Sequence, residues 1–554
     1  MNRKIARLVS STGLVELFII TAFAVVPLFI SFPYRVNIFL SWEGAYRMSN
    51  GELPFRDFGT PLGGMYWAIP AIFFKLLGPQ LITLVKAQAF INIISGLAFR
   101  SILKSFGVMP SLRLAGVLLY CLSFSFFNFW PWYNHSVIVF EFIALAFLFY
   151  GLLQEQRTGY RICWFVLAGL FTCFAFFTKQ DAGAMAFLLG LLFTGYYLLA
   201  ERKWLPVIVY AGSFIIFLTV IILLLQPYGF GYWFNHGQAP HSARVSLSEI
   251  AEEFFASSQW IKLYLFFIFF LLVLRFPRLK DLWRDKREML FLLLVTGILG
   301  EAAVFQVTSY TPPDNNIFFH SFATVYILYS IIRLAPSFAN GKKIVGAALA
   351  GILLCWSGVY WKYIHRVLDR VFPAEEQAVI SPTGENVVNR KTYMIDLKEK
   401  DTTEVAMEQW VYSPLKSFSK IYMPPATVEG INRLMSMELI KERKNLKVLN
   451  MTELTPLAVE LPYQLERGSH YPLWYHLGVG MFNKQAEMFE QRIAKEEYDL
   501  VLFEYIPSLN NFYPFRVRNS LLENYQLADS FEAPRRGDTR GKIEVYIKPA
   551  SGQP

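Results

Sequence analysis

The sequence predicts a polytopic α-helical membrane protein that ends in a small α/β soluble domain. Apolar runs of about 18 to 22 residues, the length that crosses a bilayer core, recur through the first 361 positions. From His365 onward such runs are absent and charged residues become frequent. We therefore divide the 554-residue chain into a transmembrane domain, residues 1–361, and a soluble domain, residues 362–554.

Hydropathy predicts about eleven transmembrane helices. The first apolar run, Leu14 to Phe32, is long and is not followed by a small-x-small cleavage site. We therefore interpret it as a retained span rather than a leader. The other spans are predicted near residues 80–99, 111–129, 136–153, 162–178, 183–200, 204–225, 260–274, 289–308, 317–334 and 344–361.

The basic residues predict the orientation. Arg3, Lys4 and Arg7 precede the first span, which places the N-terminus in the cytoplasm. If Pro61–Leu77 crossed the membrane, the strongly basic loop at residues 275–287 would lie outside, against the positive-inside bias. We therefore predict that Pro61–Leu77 is a juxtamembrane or re-entrant helix. The first outer loop, residues 34–79, and the soluble domain are then on the outer face, and a bacterial inner membrane is the predicted location.

Composition argues against several classes of protein. All four cysteines lie in or beside apolar runs, so neither a disulfide framework nor zinc-site spacing is present; they are Cys121, Cys163, Cys173 and Cys355. The net charge of +10 comes from short loops between spans, so it indicates membrane topology rather than nucleic-acid binding. No Asp-x-Asp motif occurs, and we predict neither a metal ion nor a cofactor.

The soluble domain has the pattern of an α/β fold. Short buried strands are predicted at residues 447–450 and 499–503, and an alternating strand at residues 542–548. Helical periodicity occurs at residues 427–444 and 483–496. No Gly-rich phosphate loop precedes either helix, so nucleotide binding has little support.

The segment Ser41–Leu77 carries the most informative charges of the chain. Within it, Glu43 and Asp57 accompany Arg47 and Arg56 before an aromatic run begins. A carboxylate at the membrane surface suits a general base, because partial desolvation raises its pKa. Glu43 and Asp57 are the candidates. The alternative is that both acids pair with the arginines and only fix the loop.

Further candidates are spread along the predicted outer face. Arg56, Arg47 and Lys179 are predicted to bind a donor phosphate, because phosphate recognition needs Arg or Lys. The predicted residues that bind acceptor or sugar are Asp181, Trp132, His135, Asn316 and His320. The alternatives are a polar turn with a Lys179–Asp181 pair, an interfacial aromatic belt at residues 130–135, and helix capping at residues 315–320.

A family resemblance lies in the same segment. The stretches Trp42-Glu43-Gly44-Ala45-Tyr46, Gly51-Glu52-Leu53-Pro54-Phe55-Arg56-Asp57-Phe58 and Pro61-Leu62-Gly63-Gly64-Met65-Tyr66 resemble the first outer loop of GT-C glycosyltransferases. The aminoarabinose transferase and protein O-mannosyltransferase group is the most similar. The resemblance implies a polyprenyl-phosphate sugar donor, catalysis at the outer membrane face, and Glu43 as the acidic position of the motif.

The chain also departs from this family pattern. Trp42 stands where the family usually has the Asp of its Asp-Glu pair, and Leu62 replaces the usual second proline. The base is therefore left open between Glu43 and Asp57, and loss of activity is a third possibility.

These observations predict a glycosyltransferase that moves a sugar from a polyprenyl-phosphate donor to a cell-envelope acceptor, with membrane lipids around it and no nucleic acid. Two alternatives remain. A transporter or lipid flippase would use charges inside the spans, of which Glu141 and Glu301 are the main ones. A non-catalytic envelope-assembly subunit would present its soluble domain to partners.

Overall fold

The fold is that of a computed structural model. It describes residues 3–34, 38–125, 129–228, 247–274, 279–308, 317–334, 405–461, 463–473, 482–509 and 513–549.

Helices dominate the first 334 residues. They are α1 (Arg3–Val25), α2 (Ile38–Ser49), α3 (Met65–Leu77), α4 (Leu81–Ser105), α5 (Pro110–Leu122), α6 (Tyr133–Leu153), α7 (Thr158–Phe176), α8 (Gln180–Glu201), α9 (Leu205–Leu225), α10 (Leu247–Ser257), α11 (Gln259–Leu274), α12 (Leu279–Arg284), α13 (Lys286–Thr308) and α14 (Ile317–Leu334). Short 3-10 helices cover Val26–Phe29 and Ser123–Ser125.

The polytopic α-helical prediction is confirmed. Among the described residues, seven helical segments are long and apolar enough to span a membrane: Thr12–Phe29, α4, α6, α7, α8, α9 and α13. The predicted spans at 111–129 and 317–334 appear as the shorter apolar helices α5 and Phe318–Leu334. The span at 260–274 follows Ile250–Ala256 at an angle of 82°. The predicted span at 344–361 lies outside the described residues.

The segment Pro61–Leu77 contains α3, a helix of 13 residues. At 1.5 Å per residue such a helix is about 20 Å long, whereas a bilayer core is about 30 Å thick. Pro70 lies inside the helix and is buried. Helix α5, which lies at a predicted span, also has 13 residues, so the juxtamembrane or re-entrant position of Pro61–Leu77 stays a prediction.

The chain folds as two compact units, each built from separate stretches of sequence. The first unit comprises Met1–Phe29, Gln88–Leu224 and Arg244–Leu368. The second comprises Ile30–Ala87, Leu225–Ala243 and Asp369–Pro554. The predicted first outer loop thus belongs to the same unit as the C-terminal domain.

Aromatic rings and glycines pack the helices of the first unit. Phe99 of α4 stacks on Tyr120 of α5 with ring centroids 4.5 Å apart, and Phe106 stacks on Phe291 of α13 at 4.6 Å. A Cβ on Gly183 of α8 would lie 2.1 Å from Cα of Phe176. Small residues let helix backbones approach closely in a membrane, where dispersion contacts replace the hydrophobic effect as the source of packing energy.

Two sheets organise the second unit. The strands are β1 (Phe32–Pro33), β2 (Val411–Tyr412), β3 (Ile421–Met423), β4 (Val448–Met451), β5 (Leu500–Tyr505), β6 (Gln526–Glu532) and β7 (Lys542–Ile547). The three-stranded sheet has the order β1-β3-β2. The four-stranded sheet has the order β4-β5-β7-β6, in which β4 is parallel to β5 and the other pairs are antiparallel. Helices α15 (Pro425–Ser436), α16 (Glu438–Glu442), α17 (Leu457–Glu460), α18 (Phe482–Ala494) and α19 (Phe515–Asn524) complete the domain.

The α/β prediction for the C-terminal domain is confirmed. The three predicted strands correspond to β4, β5 and β7, and the helix predicted at 483–496 is α18. The helix predicted at 427–444 breaks at Met437, whose extended backbone (ψ 138°) separates α15 from α16. The hydrophobic core includes Leu449 of β4, Phe503 of β5 and Phe489 of α18.

The chain at the boundary between the first apolar run and the predicted first outer loop contributes backbone to the smaller sheet. β1 runs parallel to β3, and the Phe32 and Tyr34 amides donate to the Lys420 and Tyr422 carbonyl oxygens at 3.2 and 2.8 Å. Further on, Gly59 forms a β-bridge with Pro472. These bonds join segments of chain that are hundreds of positions apart, which local sequence patterns do not reveal.

Candidate active site

Helix α2 carries the first acidic candidate and is fixed by two tryptophans. Trp67 of α3 donates from its indole Nε1 to the Leu40 carbonyl at 2.8 Å, and Trp42 donates to the Pro79 carbonyl at 3.0 Å. Gly44 faces the Trp67 ring, because any Cβ there would lie 2.1 Å from Cε2. The residue before Glu43 therefore positions α2 by packing and a hydrogen bond.

Glu43 and Arg47 form an i, i+4 ion pair on α2. Arg47 donates from Nε to Glu43 Oε1 at 2.9 Å, and its Nη2 lies 2.8 Å from the same oxygen. Arg47 Nη1 also donates to Glu52 Oε2 at 2.9 Å. The exposed Arg467 donates to the other oxygen of Glu52, also at 2.9 Å. Two acids and two arginines thus alternate in one chain of ion pairs.

Arg47 is completely buried within this network. Its Nη1 also donates to the Glu466 carbonyl at 2.9 Å. The guanidinium lies 4.9 Å from the ring centre of Tyr471 and 5.5 Å from that of Phe58, within the range of cation–π attraction. In this geometry Arg47 binds carboxylates, and its predicted contact with a donor phosphate would compete with Glu43 and Glu52.

Glu43 lines a cavity that the C-terminal domain closes. Its other walls include Phe39, Thr455, Tyr471 and Tyr513. The volume is about 40 Å³, enough for about three waters at ~10–15 Å³ each. The Thr455 hydroxyl is buried and has no hydrogen-bond partner among the described residues. A carboxylate, a hydroxyl and aromatic rings therefore surround one small space.

Burial raises the pKa of Glu43. The adjacent Arg47 acts in the opposite direction, and the negative charge of Glu52 adds to the increase. Because Arg47 is shared between the two acids, it only partly offsets the loss of solvent around Glu43. A carboxylate with a raised pKa holds a proton more readily than an exposed one, which suits a general base.

Asp57 has a different environment. Its Oδ2 accepts hydrogen bonds from Arg56 Nη2 at 2.6 Å, from Arg56 Nε at 2.9 Å and from the Leu53 amide at 2.8 Å. Burial opposes ionisation, but these bonds outweigh it and lower the pKa of Asp57. Its carbonyl accepts from the Gly468 amide at 2.8 Å. The alternative interpretation, in which the acid pairs with arginine and fixes the loop, describes these contacts.

The other predicted site residues belong to the first unit or fall outside the description. Lys179 Nζ lies 3.0 Å from Asp181 Oδ2 and 5.6 Å from the ring centre of Phe305. Asn316 lies outside the described residues.

Three aromatic or histidine candidates also lie in the first unit. The rings of Trp132 and Tyr133 are 4.6 Å apart, and the His135 amide donates to the Trp132 carbonyl. His320 is buried in α14, with Nδ1 2.9 Å from the Tyr264 hydroxyl. In the part of the chain that the structure describes, no three His, Cys, Asp or Glu side chains are grouped as metal ligands.

Several residues of the network were not among the sequence predictions. Glu52 stands inside the motif that carries the family resemblance, and its spacing of five from Arg47 was a usable signal. Arg467, Tyr471 and Thr455 gave no such signal. They approach the first outer loop from about 400 positions further along the chain, as the Arg467–Glu52 pair does, and this depends on tertiary structure.

The likeness of this chain to known proteins lies in its structure. No family model matches the chain, and no curated protein matches it. The structure resembles that of ArnT, the aminoarabinose transferase, from Cupriavidus metallidurans bound to undecaprenyl phosphate. The TM-score is 0.50 and the identity 12%, over 97% of this chain and 98% of that one. This chain has a GT-C-like fold.

Two weaker likenesses accompany the GT-C-like match. ArnT from the same organism in the apo state gives a TM-score of 0.40 and 18% identity, over 63% of this chain and 65% of that one. The oligosaccharyltransferase of Archaeoglobus fulgidus, in complex with zinc and sulfate, gives a TM-score of 0.40 and 12% identity, over 64% of this chain and 53% of that one. The GT-C-like fold and the apolar helices together make this chain an integral membrane protein.

Proposed function

We propose that this protein is a GT-C membrane glycosyltransferase that moves a sugar from a polyprenyl-phosphate donor to a hydroxyl of a cell-envelope acceptor. The observation that carries the proposal is the position of Glu43, a buried carboxylate with a raised pKa at the wall of a cavity. The proposed location is the bacterial inner membrane, with the N-terminus in the cytoplasm and the C-terminal domain on the outer face.

Glu43 is the proposed base, and Asp57 the proposed anchor of the loop. A base needs a free lone pair that faces the substrate and a pKa high enough to accept a proton. The pKa of Asp57 is lowered, and one of its oxygens already accepts three hydrogen bonds. Glu43 instead has a raised pKa and borders the cavity.

The proposed reaction is a single inverting displacement. Glu43 takes the proton of the acceptor hydroxyl while the acceptor oxygen attacks the anomeric carbon. The bond from that carbon to the donor phosphate oxygen breaks, and polyprenyl phosphate leaves with the bonding electron pair. Thr455 has the chemistry to hold the acceptor hydroxyl beside Glu43, because its own hydroxyl is buried and unpaired among the described residues. A sugar exceeds the present 40 Å³, so binding requires the walls to move apart.

Arg47 is proposed to orient Glu43 rather than to bind phosphate. Arg56, whose side chain is 37% exposed, and Lys179 stay separate predictions for binding the donor phosphate. Asp181, Trp132, His135, Asn316 and His320 stay predictions for binding acceptor or sugar. Each is tested by its own substitution, with the Michaelis constant for donor or acceptor as the readout.

The deciding experiment measures transfer of radiolabelled sugar from a panel of polyprenyl-phosphate donors to envelope acceptors in membranes. Glu43→Gln should lower the rate by about 10²- to 10⁴-fold, the usual contribution of a general base. Asp57→Asn should lower it less, through disorder of the loop. Glu429→Gln, which changes an exposed acid of the same unit, is the matched control. Normal transfer by Glu43→Gln at normal expression would refute the assignment.

A transport function is the second candidate. Glu141 of α6 and Glu301 of α13 are both buried inside apolar helices, where ionisable groups commonly serve function. Transport predicts lipid or solute flux without sugar transfer, and loss of that flux in Glu301→Gln. Unchanged flux in that variant would remove this candidate.

A further inference from the structure

One end of the first unit contains a shared ion pair that the proposed chemistry does not use. Glu16 of α1 lies between Arg100 of α4 and Arg113 of α5. It accepts from Arg100 Nε through Oε2 at 2.6 Å and from Arg113 Nε through Oε1 at 2.8 Å. Glu16 is fully buried, whereas the side chains of Arg113 and Arg100 are 9% and 22% exposed.

The packing of α1 on α4 is shaped around this group. A Cβ on Gly13 would lie 3.2 Å from Nη2 of Arg100, so glycine gives the guanidinium room on the surface of α1. Further along α1, a Cβ on Gly96 of α4 would lie 2.8 Å from a methyl carbon of Ile20. The two helices therefore run antiparallel and in close contact, with the last turns of α4 beside the start of the apolar part of α1.

The charges of the group do not cancel. Two guanidinium ions share one carboxylate, which leaves one positive charge. Among the described residues, no other carboxylate forms an ion pair with either arginine. A buried charge without a partner is costly, and the cost is greater in a membrane than at an aqueous surface.

The geometry also leaves donors available. Each arginine uses Nε for Glu16, and the Nη groups have no acceptor in the part of the chain that the structure describes. Guanidinium groups suit phosphate, because their planar N–H groups match pairs of phosphate oxygens. Glu16 holds the two guanidiniums near each other, so one phosphate could accept from both.

The positions of Glu16, Arg100 and Arg113 along their helices indicate the source of that phosphate. The apolar part of α1 begins at Thr12, α4 ends at Ser105 and α5 begins at Pro110. The ion pairs therefore lie near the ends of apolar helices, where a membrane protein meets lipid headgroups. Arg287 approaches the same end, with Nη1 3.6 Å from the position of a Cβ on Gly107.

We propose that Arg100 and Arg113, held by Glu16, bind the phosphate group of an anionic membrane lipid. The single negative charge of a phosphodiester neutralises the excess positive charge. Free inorganic phosphate offers the same oxygens but has no acyl chains to place beside α1 and α4. This site is independent of glycosyl transfer, and its test does not require activity.

The test uses the full-length protein in detergent and measures binding by the rise in melting temperature with added ligand. Phosphatidylglycerol, phosphatidylcholine and inorganic phosphate are compared. The wild type should be stabilised by phosphatidylglycerol and not by the other two. Equal stabilisation by inorganic phosphate would overturn the lipid assignment, and no response to phosphatidylglycerol would overturn the site.

Matched variants localise the effect. Arg113→Lys keeps the charge and the ion pair with Glu16 but loses the planar guanidinium, and Arg100→Gln removes one cation. Each variant should weaken the affinity for phosphatidylglycerol by about tenfold. Arg284→Gln, which changes an exposed cation in α12, should have no effect. Equal losses in all three variants would show non-specific attraction to a basic surface and overturn the proposal.

Glu16→Gln distinguishes phosphate binding from a purely structural role of the ion pairs, because only binding predicts a gain in affinity for phosphatidylglycerol. The amide keeps an acceptor oxygen but removes the negative charge, so the affinity for phosphatidylglycerol should rise. A destabilised protein without a gain in affinity would show that Glu16 serves only to join the helices, and would overturn the proposal.

Discussion

The Trp67 indole occupies the space beside the backbone of Gly44, so that a Cβ on Gly44 would lie 2.1 Å from Cε2 of the ring. Gly44→Ala should therefore push α2 away from α3 and lower stability by about 1–3 kcal/mol, the usual cost of overpacking. Sugar transfer should fall as well, because Glu43 is the preceding residue. The melting temperature of the purified protein checks the first effect. Gly195→Ala, where nothing lies within 4 Å of the new Cβ, is the control and should not lower it.

The pH dependence of transfer should report the environment of Glu43. A general base acts in its deprotonated form, so the rate should rise with pH through the pKa of Glu43, which burial places above the ordinary value for Glu. Glu52→Gln removes a negative charge that raises this pKa, and it also leaves Arg47 to pair with Glu43 alone. Both effects lower the pKa, so the acidic limb should move to lower pH. If the acidic limb of the pH–rate profile did not move, Glu43 would not be the group whose ionisation controls the rate.

Thr455 should affect binding of the acceptor more than the chemical step. Thr455→Val keeps the shape of the side chain but removes the hydroxyl that lies unpaired, among the described residues, at the cavity wall. Loss of one hydrogen bond corresponds to about 0.5–1.5 kcal/mol, or roughly a two- to twelvefold rise in the Michaelis constant for the acceptor. Thr455→Ser should restore wild-type kinetics. A fall in kcat alone would contradict a binding role.

The folding of the C-terminal domain should depend on Arg535. This buried arginine binds Glu453 at 2.7 Å and also binds Glu504, so its removal leaves two buried carboxylates without this cation. Arg535→Gln should cost about 3–5 kcal/mol, measured as the change in unfolding free energy or as loss of folded protein. Arg433→Gln breaks an exposed pair with Asp529 and should cost less than about 1 kcal/mol. Similar losses in both variants would contradict this account.

The sequence predicted what depends on local composition. Apolar runs long enough for a bilayer predicted the spans, short apolar runs predicted β4 and β5, and an alternating run predicted β7. The pairs Glu43–Arg47, Arg56–Asp57 and Lys179–Asp181 join residues no more than four positions apart, so proximity in the sequence anticipated them.

What escaped prediction depends on contacts between distant segments. β1 has only two residues and exists because β3 pairs with it. Helix α2 lies in a segment predicted as a loop, and contacts from outside its own sequence hold it, such as Trp67 with Leu40 and Arg47 with Glu466. The difference between Glu43 and Asp57 arises from a cavity wall that residues from position 450 onward provide. No pattern within the first outer loop contains that information.

The backbone pairing of β1 with β3 and of Gly59 with Pro472 has a practical consequence for protein engineering. A chimaera that exchanged only the C-terminal domain with that of another GT-C-like protein would leave the foreign domain facing a first loop whose hydrogen bonds and ion pairs were shaped for a different partner. The natural module for exchange is discontinuous. It joins residues 30–87 and 225–243 to the domain that follows the spans, and all three parts should be transplanted together.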